Sequence, residues 1–304
     1  MQSWLEKQAI HQIHKSRPRY IPQASYANII HPNEVHQADV LYMPYDKVGR
    51  ITYLYCLNIV DVASRYKASV PIGAVNVDNR EGILTSKNIA RAFEKIYNDP
   101  NCPLIWPKLL QVDGGSEFKG QVISLMKERG VRIRIGTTHK HQCIVERFNR
   151  TLAKKLFKVQ DAIEMISKIK NTKWVDNLQP VVDYLNNSVT RLIGMTPAIA
   201  IQKDVVFALP SKIRKNRLVG HDEICLPAGT LVRYLLDYKS GKRRTTDPIW
   251  SLDIFPIESI TVTNGQPVMY RLVDGPKKIF IREELMPVPN DTMLPPTSLL
   301  EHSI

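Results

Sequence analysis

Three carboxylates set in two different periodicities constrain this chain more than any other feature. Asp39 lies in Glu34-Val-His-Gln-Ala-Asp-Val40 and Asp113 in Leu110-Gln-Val-Asp-Gly-Gly-Ser-Glu-Phe118, each at the end of an apolar run of strand character. Glu146 lies in Ile144-Val-Glu-Arg-Phe-Asn-Arg-Thr151, on a segment of helical period. Acids carried by two strands and a helix meet only where helices cover a sheet, so the pattern asks for an α/β fold. Hard oxygen ligands converging from several elements are what a two-metal phosphoryl-transfer site requires.

The surrounding periodicity agrees. Residues 35–43, 51–60 and 65–70 read as strands, the first two joined by a polar turn at 45–49. Ser86 opens a helix with Ile89, Ala90, Phe93, Ile96 and Tyr97 inward. Residues 109–112 form a short buried strand that stops at Asp113, and Ser116 caps a helix over 117–128 closed by Gly130. Residues 131–135 are a fifth strand. Val145, Phe148, Leu152, Leu156 and Val159 stripe a long helix, and 174–189 is a further one. This order predicts a mixed sheet with flanking helices, an RNase H-like core, over residues 34–205.

Outside that core, residues 1–33 read as the end of a helix followed by a basic extended arm through Arg17-Pro18-Arg19 and Ile21-Pro22. Residues 206–228 read as a proline-punctuated linker. Residues 229–289 read as a small all-β barrel with strands at 231–236, 250–254, 259–262, 268–273 and 278–281. Asn264-Gly265 and Asp274-Gly275 supply its hairpin turns. Residues 290–304 read as a disordered tail.

Charge bears on the partner. The chain of 304 residues carries 42 Lys+Arg against 29 Asp+Glu, a net charge of +13, which suits a polyanion, nucleic acid or an acidic membrane surface, but equally a soluble protein that is merely basic, so charge alone identifies nothing. The longest apolar stretch, 53–60, is broken by Asn58 and is too short to span a bilayer, which weakens the membrane option. Four scattered cysteines form no C-x-x-C pair, so a disulfide scaffold and a zinc ribbon are both disfavoured, and His11 and His14 lack the cysteines that would complete a zinc site.

The helix bearing Glu146 places that acid with Asn149, Arg150 and Ala153, and Arg147, Lys154, Lys155 and Lys158 lie nearby. Cations beside a catalytic acid suit a phosphate backbone, and Asn149 and Arg150, which share the acid's face, are the favoured DNA contacts; a solvated helix exterior accounts for the lysines equally well. Lys140 and His141, just before the helix, are further DNA-contact candidates. The run at 242–244 is either a solvated loop cluster or a backbone contact.

At these residues the sequence resembles the retroviral-type integrases. It looks most like the integrases of Polinton or Maverick-type DNA transposons and the host copies derived from them. The resemblance runs through His36-Gln-Ala-Asp39, Val60-Asp-Val-Ala-Ser-Arg-Tyr-Lys67, Gln111-Val-Asp-Gly-Gly-Ser-Glu-Phe118, Ile144-Val-Glu-Arg-Phe-Asn-Arg-Thr-Leu152, Thr246-Asp-Pro-Ile-Trp-Ser251, Asp274-Gly-Pro-Lys277 and Arg282-Glu-Glu-Leu285. It implies an Asp-Asp-Glu triad at Asp39, Asp113 and Glu146, holding two Mg²⁺ or Mn²⁺ ions. Asp39 and Asp113 would share one ion, and Asp39 and Glu146 the other. It further implies a C-terminal SH3-like barrel that touches DNA, a homo-oligomer on transposon ends and target DNA, and work in the nucleus. Two departures are visible. The chain begins at or just after the place where an N-terminal His-His-Cys-Cys zinc module usually ends, and its last Asp-to-Glu spacing is a little short, a difference assigned to residues 137–142.

The expected activity is therefore DNA 3′-end processing and strand transfer by a polynucleotidyl transferase. Two rivals stand beside it: a host-retained DNA-binding or interaction protein with a silent core, and a structure-specific nuclease.

Overall fold

The computed structural model describes residues 2–22, 26–75, 82–136, 143–209, 217–237, 244, 246–264 and 266–293. Lys140, His141, Lys242, Arg243, Gly265 and the tail from 294 onward lie outside the described residues. The chain divides into two units, Tyr26–Lys212 and Met1–Ser25 with Ile213–Ile304. Two short helices open the chain, α1 (Gln2–Glu6) and α2 (Ala9–Ile13), and belong to the second unit.

The first unit is built on β1 (Val35–Val48), β2 (Ile51–Asp61) and β3 (Lys67–Val75), followed by α3 (Ser86–Tyr97) and β4 (Leu109–Val112). Then come α4 (Gln121–Glu128), β5 (Arg132–Ile135), α5 (Cys143–Ser167), α6 (Val175–Asn186) and the short α7 (Pro197–Ala200). The five strands lie in the order β3-β2-β1-β4-β5. The first three are antiparallel, while β4 and β5 run parallel to β1, so the sheet is mixed as the element order required.

Strand alternation divides the core between the two faces. Ala38 on β1 and Leu57 and Ile59 on β2 pack with Ile89 and Phe93 of α3 and Val122 of α4. Met43, Cys56 and Val60 pack on the opposite face with Val145, Phe148, Leu152 and Leu156 of α5 and Leu178 and Val182 of α6. Each such side chain contributes roughly 1.5–3 kcal/mol on burial, enough to seat α5 firmly along β1.

Three local expectations need correction. β1 does not turn at residue 45. It bulges between Tyr42 and Asp46, continues to Val48 and reverses at Gly49, whose φ is 61°. The reason is tertiary: Asp46 is buried and accepts from the backbone N–H groups of Trp174 (2.7 Å) and Val175 (2.8 Å), which satisfies the start of α6. Ser116 does not cap a helix over 117–128. It begins a single 3₁₀ turn, Ser116–Phe118, and α4 starts only at Gln121 because Gly120 takes φ 53°. The cap of α3 is Thr85, accepting from Asn88, rather than Ser86.

In the second unit, β6 (Leu231–Tyr234), β7 (Phe255–Thr261), β8 (Met269–Leu272), β9 (Phe280–Ile281) and β10 (Leu285–Pro287) form a five-stranded antiparallel sheet in the order β10-β6-β7-β8-β9. The segment at 250–254 is not a strand; Trp250 only bridges to Leu235. Of the expected helix and arm over residues 1–33, residues 1–25 are part of this unit and 26–33 part of the first. The carbonyl of Ile13 accepts from the N–H groups of Ile249 and Trp250, and Gln12 accepts from the buried Arg233 guanidinium at 2.8 Å. Residues 290–293, expected as tail, are ordered here, with Met293 bridged to Gln8. The expected linker shortens at both ends. Val206 is buried in the first unit and bonded to Ile30, while Arg217 pairs with Glu223 and Glu283 in the second.

Candidate active site

Cross-strand register explains why the acids meet. Gln37 on β1 lies opposite Gln111 on β4, and their side chains are bonded, Nε2 to Oε1, at 2.9 Å. The Gln37 Oε1 also accepts from the N–H groups of Ile144 (3.1 Å) and Val145 (3.2 Å). One glutamine thus ties β4 and the first turn of α5 to β1. Two residues beyond Gln37 is Asp39, two beyond Gln111 is Asp113, and one beyond Val145 is Glu146. Side chains two apart on a strand share a face, so the tie sets the three acids at one level.

Their mutual charge is visible at Asp39. Burial, and then the charges of Asp113, Glu146 and Glu117, push its carboxyl up to about 6, against a hydrogen bond from the Val40 N–H that favours ionisation. Asp39 stands inside β1 rather than at a strand end, while Asp113 directly follows β4. Glu117 was not singled out in the sequence. Its charge acts on Asp39, and its carboxylate folds back against Gly115, into the space that a Cβ there would take. The Gly-Gly pair before an acid was the available signal.

Asn149 is corrected by the structure. It is buried, not an exposed DNA contact, and its Nδ2 donates to Asp39 Oδ2 at 2.7 Å. Its Oδ1 accepts from Asn58 Nδ2 at 2.7 Å, and Asn58 Oδ1 accepts from Ser69 Oγ at 2.5 Å. Asp39, Asn58 and Ser69 are cross-strand partners on β1, β2 and β3 and face α5 together. A buried polar chain therefore runs over three strands and a helix to fix one oxygen of Asp39.

The basic residues separate into two groups. Arg147, Arg150, Lys154 and Lys158 are exposed and, at about 100° per residue, fall within roughly 80° of one another beside Glu146. Lys155 lies off this stripe, with its ammonium 4.2 Å from the ring centre of Tyr184 on α6. Lys140 lies outside the described residues. The donor chemistry of the acids suits a hard divalent cation. As the side chains stand, no three or more His, Cys, Asp or Glu among the described residues are drawn in around one metal position.

No family model matches the chain. A transposon-derived protein of Caenorhabditis elegans is 30% identical over 193 residues, covering 62% of this chain and 60% of that protein's length. A chain of the simian T-cell lymphotropic virus intasome, solved with PP2A regulatory subunit B56 gamma, superposes with a TM-score of 0.57 at 14% identity. That match covers 92% of this chain and 87% of the other. The HTLV-2 integrase catalytic core domain, solved with magnesium in a trimeric form, matches at 17% identity and TM-score 0.39, over 56% of this chain and 97% of its own. The likeness to the intasome chain is one of fold, in which the first unit is a mixed five-stranded sheet with flanking helices. Among the described residues no helix is long and apolar enough to cross a membrane.

Proposed function

We propose that the protein is a divalent-metal-dependent DNA integrase, a polynucleotidyl transferase that trims DNA 3′ ends and joins them to target DNA. The observation that carries this reading is the register by which Gln37, bonded to Gln111 and to the start of α5, sets Asp39, Asp113 and Glu146 at one level, with the Asp39 carboxyl raised by burial and then by the acids' charge. Negative charges that act on a carboxylate from neighbouring elements disfavour its ionised form, and a divalent cation received beside it reverses that. Asp39, Asp113 and Glu146 are the residues that would hold Mg²⁺ or Mn²⁺, as two ions. Such ions, when bound, supply charge neutralisation at the scissile phosphate. The protein's own part is orientation. Asn149 fixes one oxygen of Asp39, Gln37 fixes the start of α5, and the stripe of Arg147, Arg150, Lys154 and Lys158 neutralises phosphates of the bound strand.

The rest of the reading follows from the same relationship. The second unit, whose last strand returns to pair with its first, is an SH3-like barrel that adds DNA affinity. The protein works as a homo-oligomer on transposon ends and target DNA in the nucleus, and belongs with Polinton or Maverick-type integrases. The rival, a DNA-binding protein with a silent core, has in its favour that the acids are not drawn in around one point.

The test is Asp113→Asn, which keeps shape and removes a charge. Wild type should nick duplex DNA in Mg²⁺ and melt higher with Mg²⁺ than in EDTA; the variant should do neither while melting normally in EDTA. Unchanged nicking by the variant refutes the site. Binding without nicking by wild type selects the silent core.

A further inference from the structure

Two stretches of the sequence, Thr246–Ser251 and Arg282–Leu285, take no part in the acid site. Within the second unit they meet the N-terminal segment. The N–H groups of Ile249 and Trp250 both donate to the Ile13 carbonyl, at 2.7 and 3.0 Å, and the buried Trp250 donates through Nε1 to the Lys15 carbonyl at 2.9 Å. Further along, Ile21 packs with Trp250, Met286 and Val288. The arm between Lys15 and Ile21 is therefore anchored to the sheet unit at both ends, and Pro18 stiffens it. It carries Lys15, Arg17 and Arg19, all exposed.

An open groove of about 540 Å³ lies along this arm. Lys15 and Pro18 of the arm line it together with Trp250 and with Arg282, Glu283 and Pro287 at the start and end of β10. Its acid is already matched: Glu283 accepts from Arg217 Nε at 2.7 Å and from Arg217 Nη2 at 3.2 Å. The neighbouring Glu284 is paired with Lys278. Arg282 is held in place by its Nη1, which donates to the Leu285 carbonyl at 3.1 Å, and the guanidinium forms no salt bridge among the described residues. Neither do Lys15, Arg17 and Arg19, whereas Lys7, further back in the same segment, is paired with Asp291. Groove and arm thus present cations without carboxylates to answer them.

We propose that this groove binds the sugar–phosphate backbone of duplex DNA. Lys15 and Arg282 each neutralise a phosphate, Arg17 and Arg19 extend the contact along the arm, and Pro18 and Pro287 offer apolar surface to the deoxyribose edge. Arg282 brings the planar fork that suits a phosphate. An arm already fixed by Trp250 loses little freedom when the duplex arrives, so its cations act at a lower entropic cost than those of a free terminus. That the polyanion is DNA rests on the transferase reading above; the groove as an anion site rests on the cations and the hydrogen bonds that place them.

The experiment measures binding of the full chain to two unrelated labelled duplexes by fluorescence anisotropy, in EDTA at several salt concentrations. Lys15→Gln and Arg282→Gln are compared with wild type and with Lys7→Gln. The first two should each flatten the log–log dependence of affinity on salt by about 0.9 on both duplexes, the release expected for one phosphate contact. Lys7→Gln should leave the slope alone, since its charge is already matched by Asp291. An unchanged slope in Lys15→Gln, or an equal flattening in Lys7→Gln, overturns the inference. Should Arg282→Gln melt early through loss of its bond to Leu285, Lys15→Gln, whose side chain is exposed, decides alone. Sedimentation velocity without DNA tests the other occupant: an unchanged slope with self-association lost in Lys15→Gln gives the groove to a second copy and overturns the DNA site. Flattened slopes in a protein that never nicks DNA in Mg²⁺ would leave this site standing and remove the transferase reading. Mg²⁺-dependent nicking with unchanged slopes would do the reverse.

Discussion

Asp39→Asn should make the protein more stable while removing its chemistry. The Asp39 carboxyl is raised from 3.8 to about 6, first by burial and then by Asp113, Glu146 and Glu117. That is roughly two pH units, worth about 3 kcal/mol against the folded state once the group is ionised. Asp39 is only partly buried, so solvent screening reduces this figure. The amide has one acceptor oxygen where the carboxylate has two, so it loses one of the bonds accepted from Val40 N–H and Asn149 Nδ2, about 1 kcal/mol. The net gain is about 1–2 kcal/mol, or roughly 2–8 °C for a unit of this size. The pH dependence fixes the cause. With the folded value above the unfolded one, the folded state holds a proton that the unfolded state has lost between about pH 4 and 6, so wild-type stability falls across that window. The advantage of the variant should therefore be absent at pH 4, grow to pH 6 and stay level above. Thermal melting in EDTA at pH 4 and pH 7.5 measures it, and added Mg²⁺ should raise wild type while leaving the variant unmoved. An equal or lower melting point for the variant at pH 7.5, or the same difference at both pH values, would refute the argument.

Asn149→Ala should cost about 2–3 kcal/mol, because it strands the buried Asn58 Nδ2 and takes a donor from Asp39. It should also move the acid limb of the nicking pH profile upward, since the lost bond favoured the ionised form; melting curves and pH–rate profiles check the pair, and an unmoved limb counts against a positioning role. Lys154→Ala and Lys155→Ala should differ. The first should flatten the salt dependence of DNA binding by about 0.9. The second should leave that slope alone and lower stability by about 0.5–1 kcal/mol through loss of the Tyr184 contact. Equal slope changes would return Lys155 to the DNA-facing group.

The sequence by itself determined the mixed α/β core, the strands and helices that carry Asp39, Asp113 and Glu146, and the buried stripe of α5. Those features are written in local periodicity, and periodicity survives without knowledge of partners. Their level relative to one another was decided only in three dimensions, by Gln37 bonding Gln111 and the start of α5 across residues far apart in the chain. The same is true of Asn149. On a helical wheel it belongs beside Glu146 and Arg150, and only the β1–β2–β3 register reveals that Asn58 and Ser69 hold it inward. Asp46 reads as a turn residue until α6 arrives to use it as a cap. In the second unit, the hairpin signals were legible, but β10 and the N-terminal helices were not assigned to the sheet unit. β10 is three residues long, too short for a period, and residues 2–13 find their partners some 220–285 positions away in sequence. Apolar periodicity dictates which face of an element is buried; buried polar groups, which must each find a specific partner, take their places only when the tertiary fold brings that partner to them.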